Sequence, residues 1–468
     1  MPESTRLPKP TVSPSSISTT VVERYFSRDS HGTGMVFDLT LELDGPVDET
    51  RLFDAWSNML TRHPRLHATL HGTGRRQYWS VDPVDAGKSF HVVDLEPRTD
   101  PTSVPGPDVR SGTGACLLVS SNSQYIALRF RFHHCACDGV GAARVIGDFL
   151  AELHGRWVLG SGVQGSGTQD QTSQAALEST TQSASRIPDL RNTWKTIRGR
   201  NVRVGKHVFG AGMNEPANAI DTHCPELRPI ASDTWAFELD DKLSQKLRSK
   251  LRQAQIPLND YAVAAISNAL ATVSAHSASR KTHVMVMNPT QMRRWSDRRS
   301  SANHLGFAFV RRRHQELQFS DPVGAEQILN SVHREIHDVR TLGIAGELAF
   351  GIGAVESMPG ALAMIERFGW FTPTASLTCL SSIRFTRRYG FVGGSKIDQS
   401  EIRRVNMAAP LQAGGELAAT IWDLGDRISW SFRFAARHPR VVDVARLMAL
   451  SIQHFSKSLT DSSSQSGV

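Results

Sequence analysis

No run of about 18 uncharged apolar residues occurs anywhere in the sequence, so no helix of the chain is expected to span a bilayer. The first residues, MPESTRLPKPTVSPSS, lack the apolar stretch of a secretory leader, and export is not expected. Cysteine is scarce. Cys116, Cys135, Cys137, Cys224 and Cys379 are scattered and odd in number, which points to reduced thiols in the cytoplasm rather than a disulfide framework. Tyrosine is equally rare, with 5 in 468 residues, and no nucleic-acid-binding module is recognisable. Nucleic acid is therefore not an expected partner, although the net charge is +8.

What the chain does have is an ordinary globular composition, 40% hydrophobic and 21% charged, with enough length for a substantial core. Its positive balance suits an anionic partner, such as a phosphorylated cofactor, an acidic protein or an anionic membrane surface, and equally suits a merely soluble basic surface. Thirteen of the first twenty residues are Ser, Thr or Pro, and residues 1–20 are expected to form a disordered arm. Residues 460–468 (TDSSSQSGV) read as a similar tail. Between them, residues 160–185 are rich in Gly, Ser, Gln and Thr and contain no Lys or Arg, as a linker would be. The chain is thereby divided into lobes over 21–159 and 186–459.

Strand and helix patterns alternate on both sides of that linker. Residues 35–43 and 125–132 read as strands. The spacing over 48–62 predicts a helix with Leu52, Phe53, Trp56, Met59 and Leu60 on one face, and a second helix over 142–153 aligns Val145, Ile146, Phe149, Leu150 and Leu153. In the second segment, strands are predicted near 234–239, 282–287, 417–422 and 427–434. Helices are predicted over 241–253, over 259–274 with Asn259 as its cap, and over 440–456. The alternation argues an α/β fold with mixed sheets.

The chemistry-bearing stretch is Phe132-His133-His134-Cys135-Ala136-Cys137-Asp138-Gly139. Neighbours on a strand point to opposite faces, so His133 and His134 do not serve the same point; one is expected to face a cleft and the other to be packed. A neutral imidazole in a partly desolvated cleft is the natural general base near pH 7. Asp138 is in range to fix a turn or pair with an Arg, and Gly139 permits a conformation or an approach that a Cβ would block. Other readings stay open on the residues alone. A metal site from His133, His134, Cys135 and Cys137 has ligands far tighter than the usual two-plus-two spacing, split between faces, so no metal is expected. A dinucleotide-binding turn from Gly139-Val140-Gly141 fails at its third glycine position, which holds Arg144. The last is a packed His pair with Asp138 capping the following helix.

HHCACDG resembles HHxxxDG, the signature of the acyltransferase superfamily of chloramphenicol acetyltransferase-like enzymes, peptide-synthetase condensation domains, wax-ester-synthase-type and plant BAHD-type acyltransferases. The context is similar too: Leu43-Asp44-Gly45-Pro46-Val47-Asp48 and Arg62-His63-Pro64-Arg65-Leu66 upstream, then Met287-Asn288-Pro289-Thr290-Gln291-Met292-Arg293 and Asn303-His304-Leu305-Gly306-Phe307 downstream. The resemblance runs from about residue 21 to 456 in motif order. It implies two chloramphenicol-acetyltransferase-like lobes with mixed sheets and a tunnel between them. It further implies a free-standing acyltransferase in which His134 takes the proton from a hydroxyl or amine that attacks a thioester. Asp138 would be structural, Arg293 is its candidate salt-bridge partner, and His133 and Gly139 would shape the loop. The implied co-substrate is acyl-CoA or an acyl carrier protein thioester, with no tightly bound cofactor. The acceptor is a small molecule or lipid-like. A condensation-type amide former, or a scaffold that kept the fold without turnover, are the alternatives. The plant-type DFGWG motif is absent; Trp422-Asp423-Leu424-Gly425-Asp426 sits in a comparable late position without matching.

A thiolate is a good leaving group, so acyl transfer needs a base and an oxyanion donor but no covalent nucleophile. Cys135 and Cys137 are accordingly read as packing. Ser376, Thr378 and Ser381 are the hydroxyl candidates for the oxyanion. Basic clusters at 198–206, 293–299, 311–313, Arg387-Arg388 and Arg403-Arg404 are candidate contacts for coenzyme A phosphates or an acidic carrier protein, or simply solvated faces. The apolar, Gly-rich stretch 343–371 reads as buried core, a flap over an acceptor channel, or a surface touching a membrane.

Overall fold

The computed structural model describes residues 16–28, 35–44, 47–93, 103–121, 125–153, 225–275, 283–293, 300–358, 360, 364, 373–380, 396–397, 400–412, 415–423, 427–435 and 441–461. The linker 160–185, the basic stretches at 198–206 and 387–388, most of the 293–299 cluster, Cys224 and Ser381 lie outside the described residues.

Three sheets carry the described strands. The smallest joins β1 (Ser16–Ser18), β3 (Ala68–His71) and β4 (Tyr78–Val81) in the order β1-β4-β3. The first large sheet is built on β2 (Val36–Asp44), β5 (Phe90–Val92), β6 (Ala115–Ser121) and β7 (Tyr125–His133). The second contains β8 (Arg228–Ala231), β9 (Thr234–Glu238), β10 (His283–Gln291), β11 (Leu305–Arg313), β12 (Ala375–Cys379), β15 (Leu417–Asp423) and β16 (Ile428–Phe434) in the order β11-β10-β12-β15-β16-β9-β8. Both large sheets are mixed: β5 runs parallel to β6, and β12 runs parallel to β10 and β15, while the other pairs are antiparallel. The fold class is mixed α/β, as the alternation suggested.

Two further strands, β13 (Lys396–Ile397) and β14 (Ser400–Ala408), come late in the chain yet belong to the first sheet, whose order is β13-β14-β2-β7-β6-β5. β14 pairs with β2 from Glu401 opposite Asp44 to Ala408 opposite Asp38. The second segment therefore contributes to both large sheets, and the boundary at 186 separates stretches of sequence rather than sheets. Thr420 and Ser431 of the second sheet hold the end of β14: Thr420 Oγ1 accepts from Ala409 N at 3.1 Å, and Ser431 Oγ donates to the Met407 carbonyl.

Helices cover the outer faces. On the first sheet lie α2 (Glu49–Arg62), capped by Asp48 accepting from Thr50 N at 2.9 Å, and α3 (Gly139–Leu153). Trp56, Phe130 and Phe149 meet there, with Trp56 and Phe149 at 6.3 Å between ring centroids. On the second sheet α4 (Asp241–Gln253), α5 (Leu258–Ala275), α6 (Pro322–Thr341) and α8 (Val441–Asp461) bury Tyr261, Trp430, Phe432 and Phe455 in a separate core. Two further described helices are the short α1 (Val21–Phe26) and the apolar α7 (Ile344–Glu356). No described helix is long and apolar enough to cross a membrane.

Several local expectations are corrected. Residues 16–18 form a strand and Thr20 caps α1 with a reciprocal Thr20–Glu23 capping box, so the end of the 1–20 arm is structured by pairing with β4. α8 runs on to Asp461, past the tail boundary at 460, because Leu459 still packs into the core. α5 starts at Leu258, on the Pro257 carbonyl that accepts from Asp260 N at 3.0 Å, which places Asn259 inside the helix rather than at its cap. Phe53 is exposed and rests edge-on against Phe90, leaving Leu52, Trp56, Met59 and Leu60 as the buried stripe of α2.

β7 forms where the alternation predicts a strand, and from Leu128 to His133 it is buried on both faces. Arg131 is taken up by Asp38, through Nε to Oδ1 at 3.1 Å, and by the carbonyls of Val104 and Pro105. Arg433 of β16 donates to the Val36 carbonyl at 3.0 Å. These charges thus form a polar layer between the two large sheets.

Where the start of α3 meets the second segment the approach is too close for a side chain. A Cβ on Gly141 would stand 2.2 Å from the Ser301 carbonyl oxygen and 2.9 Å from Cys137 Sγ. At Gly139 it would meet only the Leu380 Cδ2 methyl, at 3.1 Å. Gly141→Ala is therefore expected to destabilise the chain by about 1–3 kcal/mol, through overpacking against backbone, and Gly139→Ala by less. Thermal unfolding of the two variants side by side checks this; equal midpoints would contradict it.

Candidate active site

β7 ends at His133, the chain turns through His134-Cys135-Ala136-Cys137, and α3 begins at Gly139. Asp138 makes the turn into a helix start: its Oδ1 accepts from Gly141 N and its carbonyl from Ala142 N, both at 2.8 Å. The same carboxylate is fully buried and receives Arg293 end-on, Nη1 to Oδ2 and Nη2 to Oδ1, each at 2.8 Å. His304 N donates to Oδ2 at 2.9 Å, and the Arg293 fork is completed by the Ala302 carbonyl at 2.7 Å. Helix capping and ion pairing, alternatives at the level of sequence, are made by the same side chain. Two parallel charge-assisted bonds fix the plane of the carboxylate as well as its position.

His134 sits beside this pair. Its backbone N donates to the Met35 carbonyl at 2.6 Å, and its ring stacks on Phe26 at 4.4 Å and lies 5.2 Å from Phe37. Asn303, from the second segment, donates through Nδ2 to the His134 carbonyl at 2.7 Å and stands 3.3 Å from its Nδ1. Burial lowers the imidazole pKa below the ordinary 6.5, opposed by a hydrogen bond to its own backbone carbonyl and by the Asp138 charge. His133 differs in its partners more than in its burial. Cys135 N donates to His133 Nδ1 at 3.1 Å, so that ring accepts at Nδ1 and helps hold the turn. Both rings are more than nine-tenths buried, at 7% and 9% exposure, so neither opens onto a wide cleft; what singles out His134 is its place against the second segment.

The cysteines are spent locally. Cys135 Sγ points to the Glu23 carbonyl and Cys137 Sγ to that of Asp138, both side chains being fully buried. Desolvation pushes both thiols well above their usual range, which disfavours the thiolate that nucleophilic catalysis would need. Among the described residues no group of three or more His, Cys, Asp or Glu side chains could hold a metal ion.

Of the oxyanion candidates, Ser376 is buried and Thr378 half-buried on β12. Ala375, Leu377 and Cys379 join the helix-side core, which leaves Ser376 and Thr378 on the face toward the first sheet, in line with Leu380 against Gly139. Among the basic clusters, Arg312 pairs with Glu335, Arg404 with Glu42 and Arg403 with Asp44, so these cations are largely engaged within the protein. From the apolar stretch 343–371, Ala345 packs beside Val339 and Ala308, while Met358 and Met364 are exposed.

Sequence reasoning missed the shell around the imidazole. Phe26 comes from α1, whose Glu23 makes a buried ion pair with Arg65 and whose Arg24 reaches Glu356 of α7 at 2.9 Å. His63 pairs with Asp148 of α3 at 3.0 Å. His63 and Arg65 lie in the Arg62–Leu66 segment, and Asn303 in the Asn303–Phe307 segment. The position of a polar residue immediately before an apolar strand was the available signal.

No protein-family model and no curated protein sequence matches the chain. Solved structures do. The first condensation domain of the CDA synthetase superposes with a TM-score of 0.63 at 12% identity, over 96% of this chain and 97% of that one. The starter condensation domain of rhizomide synthetase RzmA, in complex with C8-CoA, gives 0.63 at 13% identity over 95% and 94% of the two chains. The polyketide synthase associated protein 5 of Mycobacterium tuberculosis gives 0.59 at 14% identity over 94% and 98%. The chain has the condensation-domain fold over nearly its whole length.

Removing one member of the Asp138–Arg293 pair leaves the other charged and buried. Arg293→Met is expected to cost about 3–5 kcal/mol, and the double variant Asp138→Asn/Arg293→Met to recover part of it. Denaturant midpoints of the two single variants and the double variant measure the coupling; strictly additive losses would show that the pair contributes nothing beyond its parts.

Proposed function

We propose that this chain is an acyltransferase that moves an acyl group from a thioester, acyl-CoA or an acyl carrier protein, to a hydroxyl or amine, with His134 as general base. The observation that carries the reading is the His134 imidazole at the meeting of the two segments. Its Nδ1 edge faces its own carbonyl and Asn303, and the Asp138–Arg293 pair fixes the turn beneath it.

The steps follow from that geometry. In the tautomer with its proton on Nδ1, the ring has the Nε2 lone pair to receive the proton of the attacking hydroxyl or amine. The nucleophile adds to the thioester carbonyl, the tetrahedral oxyanion collapses, and the C–S bond breaks. The proton held on Nε2 then leaves with the thiolate as free thiol. Ser376 and Thr378, on the face toward the first sheet, are the candidate hydroxyls for the oxyanion. Arg293 neutralises Asp138, so burial dominates the environment of His134 and keeps its ring neutral at physiological pH.

The fold supports the same reading. The rhizomide synthetase domain has been crystallised with C8-CoA and with C8-CoA plus Leu-SNAC, a thioester donor and an amino-acid acceptor. The Leu-SNAC complex favours amide formation as the second reading, with an aminoacyl carrier as acceptor.

Thiol release from acyl-CoA donors of graded chain length, with pooled alcohol and amine acceptors, tests the proposal. Release is expected to depend on acceptor and to fall about 10²–10⁴-fold in His134→Ala. Release unchanged in that variant would overturn His134 as base, and no release from acyl-CoA or carrier-bound donors would leave a scaffold without turnover.

The pH profile is a second test. A base works when unprotonated, so kcat/KM is expected to rise with pH through the pKa of the free imidazole. Burial places that midpoint below the ordinary 6.5, with a plateau across neutral pH. A midpoint above the ordinary value would contradict the environment described.

A further inference from the structure

We infer that Asn303 is a positioning residue for His134, holding its backbone and the plane of its imidazole from the opposite segment of the chain. This rests on the reading of His134 as the base and adds a residue to which the motif gives no role.

Asn303 is nearly fully buried, at 4% exposure, and both ends of its amide are engaged. Nδ2 donates to the His134 carbonyl at 2.7 Å, and Oδ1 accepts from Leu305 N at 3.3 Å. The second contact fixes which end of the amide faces His134. The first fixes the backbone of His134 from the opposite segment. The 3.3 Å approach of Asn303 Nδ2 to Nδ1, together with the stack on Phe26, leaves the ring little freedom to turn over.

The neighbouring residues do not supply this contact. Asp138 is occupied by Arg293, Gly141 N and His304 N. His133 engages Cys135 N through Nδ1, and His304 Nε2 stands 3.3 Å from Ser300 Oγ. Apart from its own carbonyl, Asn303 supplies the polar contact on the Nδ1 side of the base, and it belongs to β11's leading loop, not to the HHCACDG turn. Correct presentation of the base therefore depends on the second segment being docked.

The test is the ring nitrogen and carbon NMR signals of His134, followed through a pH titration in the wild-type chain, Asn303→Asp and Asn303→Ala, with unfolding scans to establish that each variant is folded. Asn303→Asp nearly conserves shape but replaces the donor with a carboxylate next to Nδ1. It is expected to raise the His134 pKa by about one unit or more, since an opposite charge within a few ångströms favours the imidazolium. Asn303→Ala is expected to change the His134 ring signals, as the imidazole loses the contact beside Nδ1 and its backbone loses the amide bond. Its kcat should fall about 10- to 100-fold at nearly constant KM, as for a misplaced catalytic group. Unchanged His134 signals and pKa in a folded Asn303→Asp protein would overturn the inference. The outcomes separate from those of the proposed reaction: shifted His134 signals without thiol release in the wild type would uphold Asn303 and defeat the acyl-transfer reading.

Discussion

Asp138 is a carboxylate with no exposure to water, and the rest of the site is arranged around keeping it charged. A buried ion loses several kcal/mol of hydration, recovered only if every lone pair finds a donor of good geometry. Here one donor is local, Gly141 N at the head of α3, and three come from the second segment: both Arg293 nitrogens and His304 N. The carboxylate can therefore be satisfied in one docking of the two segments, and sliding by a single residue would leave it unpaired. The ion pair is weak evidence for stability as such and strong evidence for a specified geometry.

The run 300–305 acts as the ruler of that docking. The Ser301 carbonyl occupies the space left open by Gly141, the Ala302 carbonyl completes the Arg293 fork, Asn303 takes the His134 carbonyl, and His304 N reaches Asp138. Four consecutive residues each meet the HHCACDG turn, its Arg partner or the first residues of α3. At the other margin, α1 closes over the ring through Phe26 and is tied across to α7 by Arg24 and Glu356. β14 joins the first sheet while its end is held by Thr420 and Ser431 of the second. These are three separate attachments between parts of the chain that a linker at 160–185 would suggest are independent.

What the sequence made legible follows from the range of the forces involved. The amphipathic stripes of α2 and α3 and the strand at 125–132 are local patterns, and they appear where periodicity puts them. The turn at Asp138 was equally legible, because a capping carboxylate works within three residues of its own chain. Arg293 lies 155 residues away and was reached by resemblance, not by any local rule. Asn303 was legible only as a polar residue before an apolar strand, a signal that names no partner until the fold brings a histidine carbonyl to it. The burial of Arg129 and Arg131 is likewise outside the reach of a local pattern, since alternation along β7 reports which residues share a face but not what covers that face.

The charge state of the His134 imidazole depends on how its neighbour Asp138 is paired. A lone Asp138 beside the imidazole would favour the imidazolium. Bidentate pairing with Arg293 spreads an equal positive charge across the same carboxylate, so the residual field at the ring is that of a dipole and falls off faster than that of an ion. Desolvation between Phe26 and Phe37 is then the larger influence, and it favours the neutral ring. Arg293, which pairs Asp138, and Asn303, which bonds the His134 carbonyl, arrive on the second segment ten residues apart in sequence, so the same docking that satisfies the buried carboxylate also sets the surroundings of the imidazole.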